Sequence, residues 1–290
     1  MRSAHWHAVF VAASTVVAAV SAAPAGQRFT ARVDVVRVDV LVTERGAPVR
    51  GLQAGDFEVR DNDVLQQIDL VDPDAASVNA ILALDLSQSV VGEQLVHLRR
   101  AGHALVDALK PTDQAALIGF SHLIVLGSTL TRDLDRVHDA LNRTTAIGMT
   151  SVADACFTSL ILSESDPGRA LVLVFSDGVD TASWLSTDAV LDIAKRSDAV
   201  VYGISATSAA SGPKSTFLQD LSSATGGSLL EISSTRDLSR DFLSVLEEFR
   251  QRYLLSYTPR GVSREGYHRL SVKVKGRDVK VKARPGYLAR

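Results

Sequence analysis

Residues that could bind a metal ion stand just beyond two apolar runs of the sequence. Asp85, Ser87 and Ser89 follow the first run, Asp177 follows a later one, and Thr150 lies in a glycine-containing stretch between them. Each of these residue types is common in turns and helix caps, so none is diagnostic alone. Together they offer two carboxylates and three hydroxyls. Such an oxygen-only set suits a hard divalent cation such as Mg²⁺, and no cluster of Cys or His supports zinc.

The elements expected to position these residues form an α/β domain. Four continuous apolar runs are typical of strands covered on both faces: 80–84, 115–120, 170–175 and 199–204. Helical patterns occur at 92–110, 133–141, 152–162, 187–197, 217–224 and 238–249. This alternation predicts a doubly wound, mostly parallel sheet, in which ligands bind beyond the carboxyl ends of the strands. In the first helix, Gly102 is expected to allow close approach to the sheet.

The two ends of the chain show the two-residue period of half-buried strands. The N-terminal segments with this pattern are 30–42, 56–60 and 64–71, and the C-terminal ones are 253–257, 268–275 and 279–283. Such short strands make a poor core on their own. We therefore expect the two groups to pair into one antiparallel, β-sandwich-like unit.

The first 22 residues have the pattern of a secretory signal peptide. Arg2 precedes the uncharged stretch 8–20, and Ser21 and Ala22 provide small residues at the expected cleavage site. A bilayer-spanning helix needs about 20 apolar residues, so no stable membrane span is expected after cleavage, with an uncleaved anchor as the alternative. The sequence thus predicts export to the periplasm or the exterior. The single cysteine, Cys156, excludes a disulfide within the chain and lies in an apolar stretch typical of the core.

Composition places the chain among ordinary globular proteins. Of its 290 residues, 46% are hydrophobic and 22% are charged, which excludes the disordered and collagen-like classes. Residues 260–290 hold ten Lys and Arg and two acidic residues, a local charge of +8, but these charges alternate with apolar residues as on the exposed face of a strand. Only 6% of residues are aromatic and no stacking platform is evident, so no nucleic-acid partner is expected.

The polar loops resemble the metal-ion-dependent adhesion site (MIDAS) of the von Willebrand factor type A (VWA) domain. That motif consists of Asp-x-Ser-x-Ser, a distant Thr and a later Asp, here Asp85, Ser87, Ser89, Thr150 and Asp177. The stretch from Gly148 to Ala155 also resembles the family's Gly-Gly-Thr-Ala-Leu-x-Asp-Ala, with Met149 in place of the second glycine.

The flanking segments extend the resemblance to the bacterial proteins called VWFA-related, found in Acidobacteria. The matching features are Gly51, Leu52, Asp56 and Phe57, the segment 253–259 and the segment 284–287. The resemblance implies four parts: a signal peptide at 1–22, an N-terminal β segment at 23–76, a VWA domain at 77–257 and a C-terminal β segment at 258–290. The last part is expected to pair with 23–76.

The resemblance implies a cation-dependent protein-binding module and not an enzyme. Ser87, Ser89 and Thr150 would coordinate Mg²⁺, or Mn²⁺ or Ca²⁺, through neutral hydroxyls, while Asp85 and Asp177 would act directly or through water. Neutral ligands leave the cation electron-poor, so it can attract an Asp or Glu carboxylate from a protein partner. Such a chain would serve adhesion or another interaction. Two alternatives remain: a metal-dependent hydrolase or phosphatase that uses the same carboxylates, and a structural component of a cell-surface assembly.

Other polar residues have more ordinary interpretations. Asp180 and Thr181 either orient the metal site or lie in solvent. Asp154 either bonds the loop before it or lies on the helix surface. Ser121 and His122 suggest a hydrolase, but the closing glycine of a nucleophile elbow is absent. The histidines of the helical segments, which stand alone in the sequence, are expected to serve surface or core packing, at His97, His103 and His138.

Overall fold

The computed structural model describes residues 35–72, 77–177, 179–206 and 216–289. The expected signal peptide, 1–22, and the start of the first expected strand, 30–34, lie outside these ranges. None of the helices in the described ranges combines the length and apolar character that crossing a bilayer requires.

Strands and helices alternate through the middle of the chain, and strands occupy both ends. The strands are β1 (Val36–Glu44), β2 (Ala47–Pro48), β3 (Phe57–Asp61), β4 (Val64–Gln66), β5 (Leu70–Asp72), β6 (Val78–Asp85), β7 (Gln114–Phe120), β8 (Ile124–Thr131), β9 (Arg169–Ser176), β10 (Val200–Ala206), β11 (Leu229–Ile232), β12 (Tyr253–Tyr257), β13 (Tyr267–Val274), β14 (Lys280–Lys282) and β15 (Gly286–Leu288). The α-helices are α1 (Glu93–Asp107), α2 (Leu134–Asn142), α3 (Val152–Ser163), α4 (Thr187–Ala194), α5 (Phe217–Ala224) and α6 (Leu238–Arg250).

A six-stranded, mostly parallel sheet forms the centre of the fold. Its strand order is β11-β10-β9-β6-β7-β8, and all neighbours are parallel except β7 and β8. Successive side chains of a strand point to opposite faces, so Ile81 and Leu82 of β6 belong to different hydrophobic clusters. Helices α1, α2 and α6 cover the Leu82 face, and α3, α4 and α5 cover the Ile81 face. The predicted doubly wound sheet is confirmed.

Strands from the two ends of the chain form two antiparallel sheets. One has the order β14-β1-β12-β5, with β2 also paired to β1, and the other has the order β15-β13-β3-β4. Residues far apart in sequence are neighbours: Val42 lies opposite Val281, and Val59 lies opposite Val272. Apolar side chains of both sheets share one hydrophobic cluster. The expected flanking antiparallel β segments are therefore confirmed.

A buried polar network lies within this cluster. The Tyr257 and Tyr287 hydroxyls donate to Oδ2 of Asp61 at 2.9 and 2.8 Å, and Oδ1 of Asp61 lies 2.7 Å from Nδ1 of His268. The four side chains come from β3, β12, β13 and β15, and all are buried. Since buried polar groups are tolerated when they are paired, this network joins both ends of the chain at one point.

A second buried network joins the antiparallel sheets to the central sheet. Arg169, the first residue of β9, donates from Nε to Oδ1 of Asp39 in β1 at 3.0 Å. Arg252 is fully buried and donates to the Tyr202 hydroxyl at 2.9 Å and to the Gly226 carbonyl at 2.7 Å. Because Arg169 begins its strand, its ion pair lies at the sheet edge opposite to the carboxyl ends of the parallel strands.

Five features of the β structure differ from the prediction. Strands β2, β8, β11 and β15 were not expected: β8 is an outer strand without a buried apolar run, and the other three have only two to four residues. The expected strand 64–71 is two strands, because β4 pairs in one antiparallel sheet and β5 in the other. The chain changes sheets after Gln66, whose side-chain amide bonds the backbone of Arg260.

One expectation about helix packing was wrong. A Cβ atom at Gly102 would lie 2.7 Å from Cδ2 of Leu141, so this glycine lets α1 approach α2 and not the sheet. His103 and His138 serve packing, as expected: their rings are stacked between α1 and α2, with the Nδ1 atoms 2.6 Å apart. Periodicity identifies a buried helix face without identifying its neighbour. Cys156 is buried in the core as expected, and desolvation raises the pKa of its thiol far above the ordinary value.

Candidate metal centre

The carboxyl ends of two neighbouring parallel strands bring the two aspartates together. Asp85 is the last residue of β6, and Asp177 follows the last residue of β9. The two strands are paired, with Leu84 opposite Phe175. Because the strands are parallel and adjacent, the loops that leave them start at the same edge of the sheet, which is where ligands bind in this architecture.

Hydrogen bonds connect Asp85, Ser87, Ser89 and Asp177 into one group. Oδ1 of Asp85 accepts from the Ser87 backbone N–H at 2.9 Å, and Oδ2 accepts from the Ser176 hydroxyl at 2.7 Å. The Ser87 and Ser89 hydroxyl oxygens are 3.0 Å apart, and Ser89 donates to Oδ1 of Asp177 at 2.7 Å. The Ser89 hydroxyl has one hydrogen and gives it to Asp177, so Ser87 is the donor to Ser89. Each hydroxyl therefore keeps a lone pair for a further ligand.

Thr150 lies in a loop that is bonded to the loops on both sides of it. Its carbonyl accepts from the backbone N–H groups of Thr181 and Ala182, each at 2.9 Å. Nearby in the same loop, the Gly148 carbonyl accepts from the Gln88 N–H at 2.9 Å. Among the described residues, the structure brings four of the five predicted site residues into one hydrogen-bonded group. The backbone of the buried Thr150 bonds Thr181 and Ala182 in the loop that follows Asp177, and within the described ranges no hydrogen bond joins Thr150 directly to the other four.

Both carboxylates lie in surroundings that disfavour their charge. Desolvation raises the pKa of Asp85 from 3.8 to about 6, although hydrogen bonds from Ser87 and Ser176 act in the opposite direction. Desolvation also raises the pKa of Asp177, and the hydrogen bond from Ser89 opposes that effect. Within the described ranges, no basic side chain lowers the pKa of either carboxyl. A divalent cation would provide the positive charge that this pair lacks.

Two residues that contact the carboxylates were given no role in the sequence analysis. Ser176 bonds Asp85, and Gln94, with its amide nitrogen facing the site, donates to Oδ2 of Asp177 at 2.9 Å and to the Ser89 carbonyl at 3.1 Å. The only sequence signal for Ser176 is its place beside Asp177 at the end of an apolar run. Its partner depends on the pairing of β6 with β9, which are separated in the chain by two other strands.

Asp180 and Thr181 organise the loop that follows Asp177, and their expected role in orienting a metal site stays a prediction. Oδ2 of Asp180 accepts from the Ala153 N–H at 2.8 Å, and Oδ1 accepts from the Ser183 N–H at 3.0 Å. The Thr181 hydroxyl oxygen accepts from the Thr150 N–H at 3.2 Å. These contacts join the loop to the start of α3, so they hold Thr150 in place.

Asp154 has a partner that neither expectation named. Its two carboxylate oxygens accept from the backbone N–H groups of Trp184 and Leu185, each at 3.0 Å. Asp154 thus bonds the loop that precedes α4 and not the loop that precedes its own helix.

Ser121 and His122 support the loop that contains Thr150. The Ser121 hydroxyl oxygen lies 3.4 Å from Nδ1 of His122, and the Ser121 carbonyl accepts a hydrogen bond from the Ser151 hydroxyl.

The donor set fits a hard divalent cation. The described residues contain no group of three or more His, Cys, Asp and Glu side chains that could hold a metal. The candidate centre instead combines two carboxylates with neutral hydroxyl oxygens. These are the ligand types that suit Mg²⁺, Mn²⁺ and Ca²⁺.

Comparison with known protein families identifies the central region. Residues 80–179 match the family model described as von Willebrand factor type A domain. This region is a von Willebrand factor type A domain. All five predicted site residues lie inside the matched range of the VWA domain.

Solved structures share this fold. A von Willebrand factor type A protein from Catenulispora acidiphila matches with a TM-score of 0.54 and 12% identity, over 88% of this chain and 74% of that chain. A mutant of the PilB minor pilin from Streptococcus sanguinis matches with a TM-score of 0.51 and 11% identity, over 61% and 62%. Proximal thread matrix protein 1 from the mussel byssus, with a zinc-occupied MIDAS motif, matches with a TM-score of 0.53 and 17% identity, over 66% and 50%. At these identities the likeness shows the fold alone.

The chain spans less than two thirds of the length of two of these proteins, 62% of the pilin and 50% of the byssus protein. No curated protein sequence matches the chain.

Proposed function

We propose that this chain is an exported, cation-dependent protein-binding module. In this proposal Asp85, Ser87, Ser89, Thr150 and Asp177 hold a divalent cation, with Mg²⁺ the best fit and Mn²⁺ or Ca²⁺ as substitutes, in the manner of a MIDAS. The observation that carries it is the chain of hydroxyls that ends on Asp177, beside a buried Asp85, with no basic partner among the described residues.

Each group has a distinct role in this proposal. The Ser87 and Ser89 hydroxyls direct their hydrogens along the chain toward Asp177, which leaves oxygen lone pairs for the cation. The Thr150 hydroxyl supplies a third neutral donor. Both oxygens of Asp85 already accept a hydrogen bond, so it contributes its charge and fixes the Ser87 backbone. Asp177 is only partly buried and acts directly or through water.

The accessible side of the centre is where a partner would bind. Ser89 is exposed, whereas Asp85 and Ser87 are buried, so one side of the group faces solvent. Mg²⁺ prefers about six oxygen ligands and keeps waters where the protein does not fill its shell. An Asp or Glu side chain of a partner can replace such a water and add a charge-assisted contact.

The fold and the proteins that share it support the proposed binding function. Two proteins with this fold are a minor pilin and a thread matrix protein, and the second has a zinc-occupied MIDAS motif. Export to the periplasm or the exterior belongs to the proposal, as does the division into a signal peptide at 1–22, β segments at 23–76 and 258–290, and a VWA domain at 77–257. In the part of the chain that the structure describes, no specific contact favours a hydrolase or phosphatase.

Two fluorescent peptide pools test the proposal. They differ only in a fixed central residue, Glu in one and Gln in the other, and binding to the full-length chain is measured by anisotropy. We expect the Glu pool to bind in excess Mg²⁺ and to be released by a chelator, with little binding of the Gln pool. Ser87→Ala should abolish this difference, and Ser165→Ala, an exposed serine in the turn between α3 and β9, should preserve it.

Equal binding of the two pools, or binding that persists in chelator, would contradict the proposal. A screen with ester and phosphomonoester substrates examines the enzymatic alternative. Turnover that disappears in Asp85→Asn would favour a hydrolase or phosphatase instead.

A further inference from the structure

Large apolar side chains are exposed on the four loops that surround the candidate metal centre. They are Val91, Leu123, Ile147, Met149, Val179 and Trp184. Single exposed apolar residues are ordinary, but several on adjoining loops mark a binding surface. We propose that these residues form an apolar rim whose occupant is a protein segment with an acidic side chain flanked by large apolar side chains. This inference rests on the proposed function, because the acidic side chain would bind the cation.

Backbone hydrogen bonds show that the loops of the apolar rim adjoin one another. The Ile147 N–H donates to the Leu86 carbonyl at 2.8 Å, which joins the loop of Met149 to the loop of Val91. The Ala182 N–H donates to the Thr150 carbonyl at 2.9 Å, which joins the loop of Met149 to the loop of Val179 and Trp184.

The loop of Leu123 also adjoins the apolar rim. The Ser151 hydroxyl donates to the Ser121 carbonyl. A Cβ atom at Gly148 would overlap the His122 ring, so these two residues are in close contact. The exposed apolar side chains therefore lie on three neighbouring loops and one hairpin that adjoin the proposed cation site.

Trp184 is the principal contact residue of the rim. Its side chain is 94% exposed, although tryptophan usually buries most of its large surface. Its backbone is fixed, because its N–H bonds Asp154 and the neighbouring Ser183 bonds Asp180. A large aromatic side chain on a fixed loop loses little conformational freedom when it binds, and tryptophan is enriched among residues that dominate binding energy.

Charge limits the kind of partner that fits. The Ser87, Ser89 and Thr150 hydroxyls proposed as ligands are neutral, so the cation would remain electron-poor and could bind a carboxylate of a partner. Around that carboxylate the rim offers apolar surface, and flanking polar side chains of a partner would lose hydration there without gaining hydrogen bonds. An acidic residue between large apolar residues satisfies both demands.

Peptide pools with restricted neighbours test this inference. One pool has a central Glu flanked by Leu, Phe and Met, a second has a central Glu flanked by Ser, Thr and Gly, and a third has a central Gln with the apolar flanks. In excess Mg²⁺ we expect the first pool to bind the full-length chain at least about tenfold more tightly than either of the others. One well-buried contact residue provides a difference in affinity of this size.

Two variants separate the apolar rim from a general attraction to apolar peptides. Trp184→Ser should remove most of the preference for apolar flanks while binding of the polar-flanked Glu pool stays unchanged. Leu65→Ser, at a residue of strand β4 whose side chain is 59% exposed, should leave both unchanged.

The outcomes distinguish this inference from the proposed function. Equal binding of the two Glu pools, or a preference that survives Trp184→Ser, overturns the apolar rim while the cation-dependent binding of Glu stands. If neither Glu pool binds better than the Gln pool, the proposed function fails and this inference fails with it.

Discussion

The Ser89 hydroxyl donates a hydrogen bond to the Asp177 carboxylate at 2.7 Å across 88 positions of the sequence. This contact closes the group of polar residues at the carboxyl edge of the central sheet. It also turns the hydroxyl hydrogen toward the carboxylate and leaves an oxygen lone pair available. The same contact therefore serves the loop structure and the proposed coordination of a cation.

Removing this hydroxyl should weaken cation binding. Ser89→Ala deletes one proposed ligand and one hydrogen bond to Asp177, so we expect the affinity for Mg²⁺ to fall by about tenfold or more. Ser89 is exposed, so the fold should be retained. Isothermal titration calorimetry measures the affinity, with Ser165→Ala as the control. An affinity equal to that of the wild type would remove Ser89 from the site.

The pKa of Asp85 predicts how pH affects the cation-free protein. This carboxyl has a pKa of about 6 when folded and 3.8 as its ordinary value, so the folded state binds the proton more tightly. The wild type should therefore lose up to about 3 kcal/mol of unfolding free energy as pH rises through this interval, and Asp85→Asn should not.

Denaturant titrations in chelator, at about pH 4 and about pH 7, measure this difference. The stability of the wild type relative to Asp85→Asn should fall toward the higher pH, and excess Mg²⁺ should restore it by binding the charged form. If the stability difference between the wild type and Asp85→Asn does not vary with pH, burial does not raise the pKa of Asp85 as described.

The network around Asp61 should be essential to the antiparallel sheets. Asp61→Ala leaves the buried His268 and two tyrosine hydroxyls without their common partner, so we expect a loss of about 3–5 kcal/mol. Tyr287→Phe removes one hydroxyl and should cost about 1 kcal/mol. Asp63→Asn, on an exposed side chain of the adjacent turn, should change stability by less than about 0.5 kcal/mol. Equal effects of the three variants would exclude a special role for Asp61.

The buried ion pair between Asp39 and Arg169 should differ from an exposed one. Asp39→Ala leaves the guanidinium of Arg169 buried without its carboxylate, and the expected cost is about 3–5 kcal/mol. Asp192→Ala breaks the exposed pair with Lys195 and should cost at most about 1 kcal/mol. Thermal and denaturant unfolding measure both. A small effect of Asp39→Ala would show that this ion pair contributes little to joining the antiparallel sheets to the central sheet.

The sequence predicted the elements that are buried on both faces, because their apolar runs are continuous. The run at 80–84 corresponds to β6, and the helical pattern at 152–162 corresponds to α3. Strand β8 escaped prediction because its side chains are mostly exposed or half-exposed. Hydrophobic patterns in a sequence reflect which side chains are buried, and an outer strand has few buried side chains.

The sequence did not predict which side chains of distant elements contact one another. Asp85 and Asp177 were expected at one edge because parallel strands end together. The partners of Asp61 and of Gly102 depend on which strands and helices pack side by side, and no local pattern records that. The hydrogen bond from Ser176 to Asp85 likewise requires the pairing of β6 with β9.

Anomalous diffraction from a crystal of the full-length chain soaked in Mn²⁺ tests most directly whether the candidate centre holds a cation. We expect one strong peak bonded to the hydroxyl oxygens of Ser87, Ser89 and Thr150, with at least one remaining position filled by water. A peak at other residues, or a fully Mn²⁺-saturated crystal without a peak among these hydroxyls, would contradict the proposed metal centre.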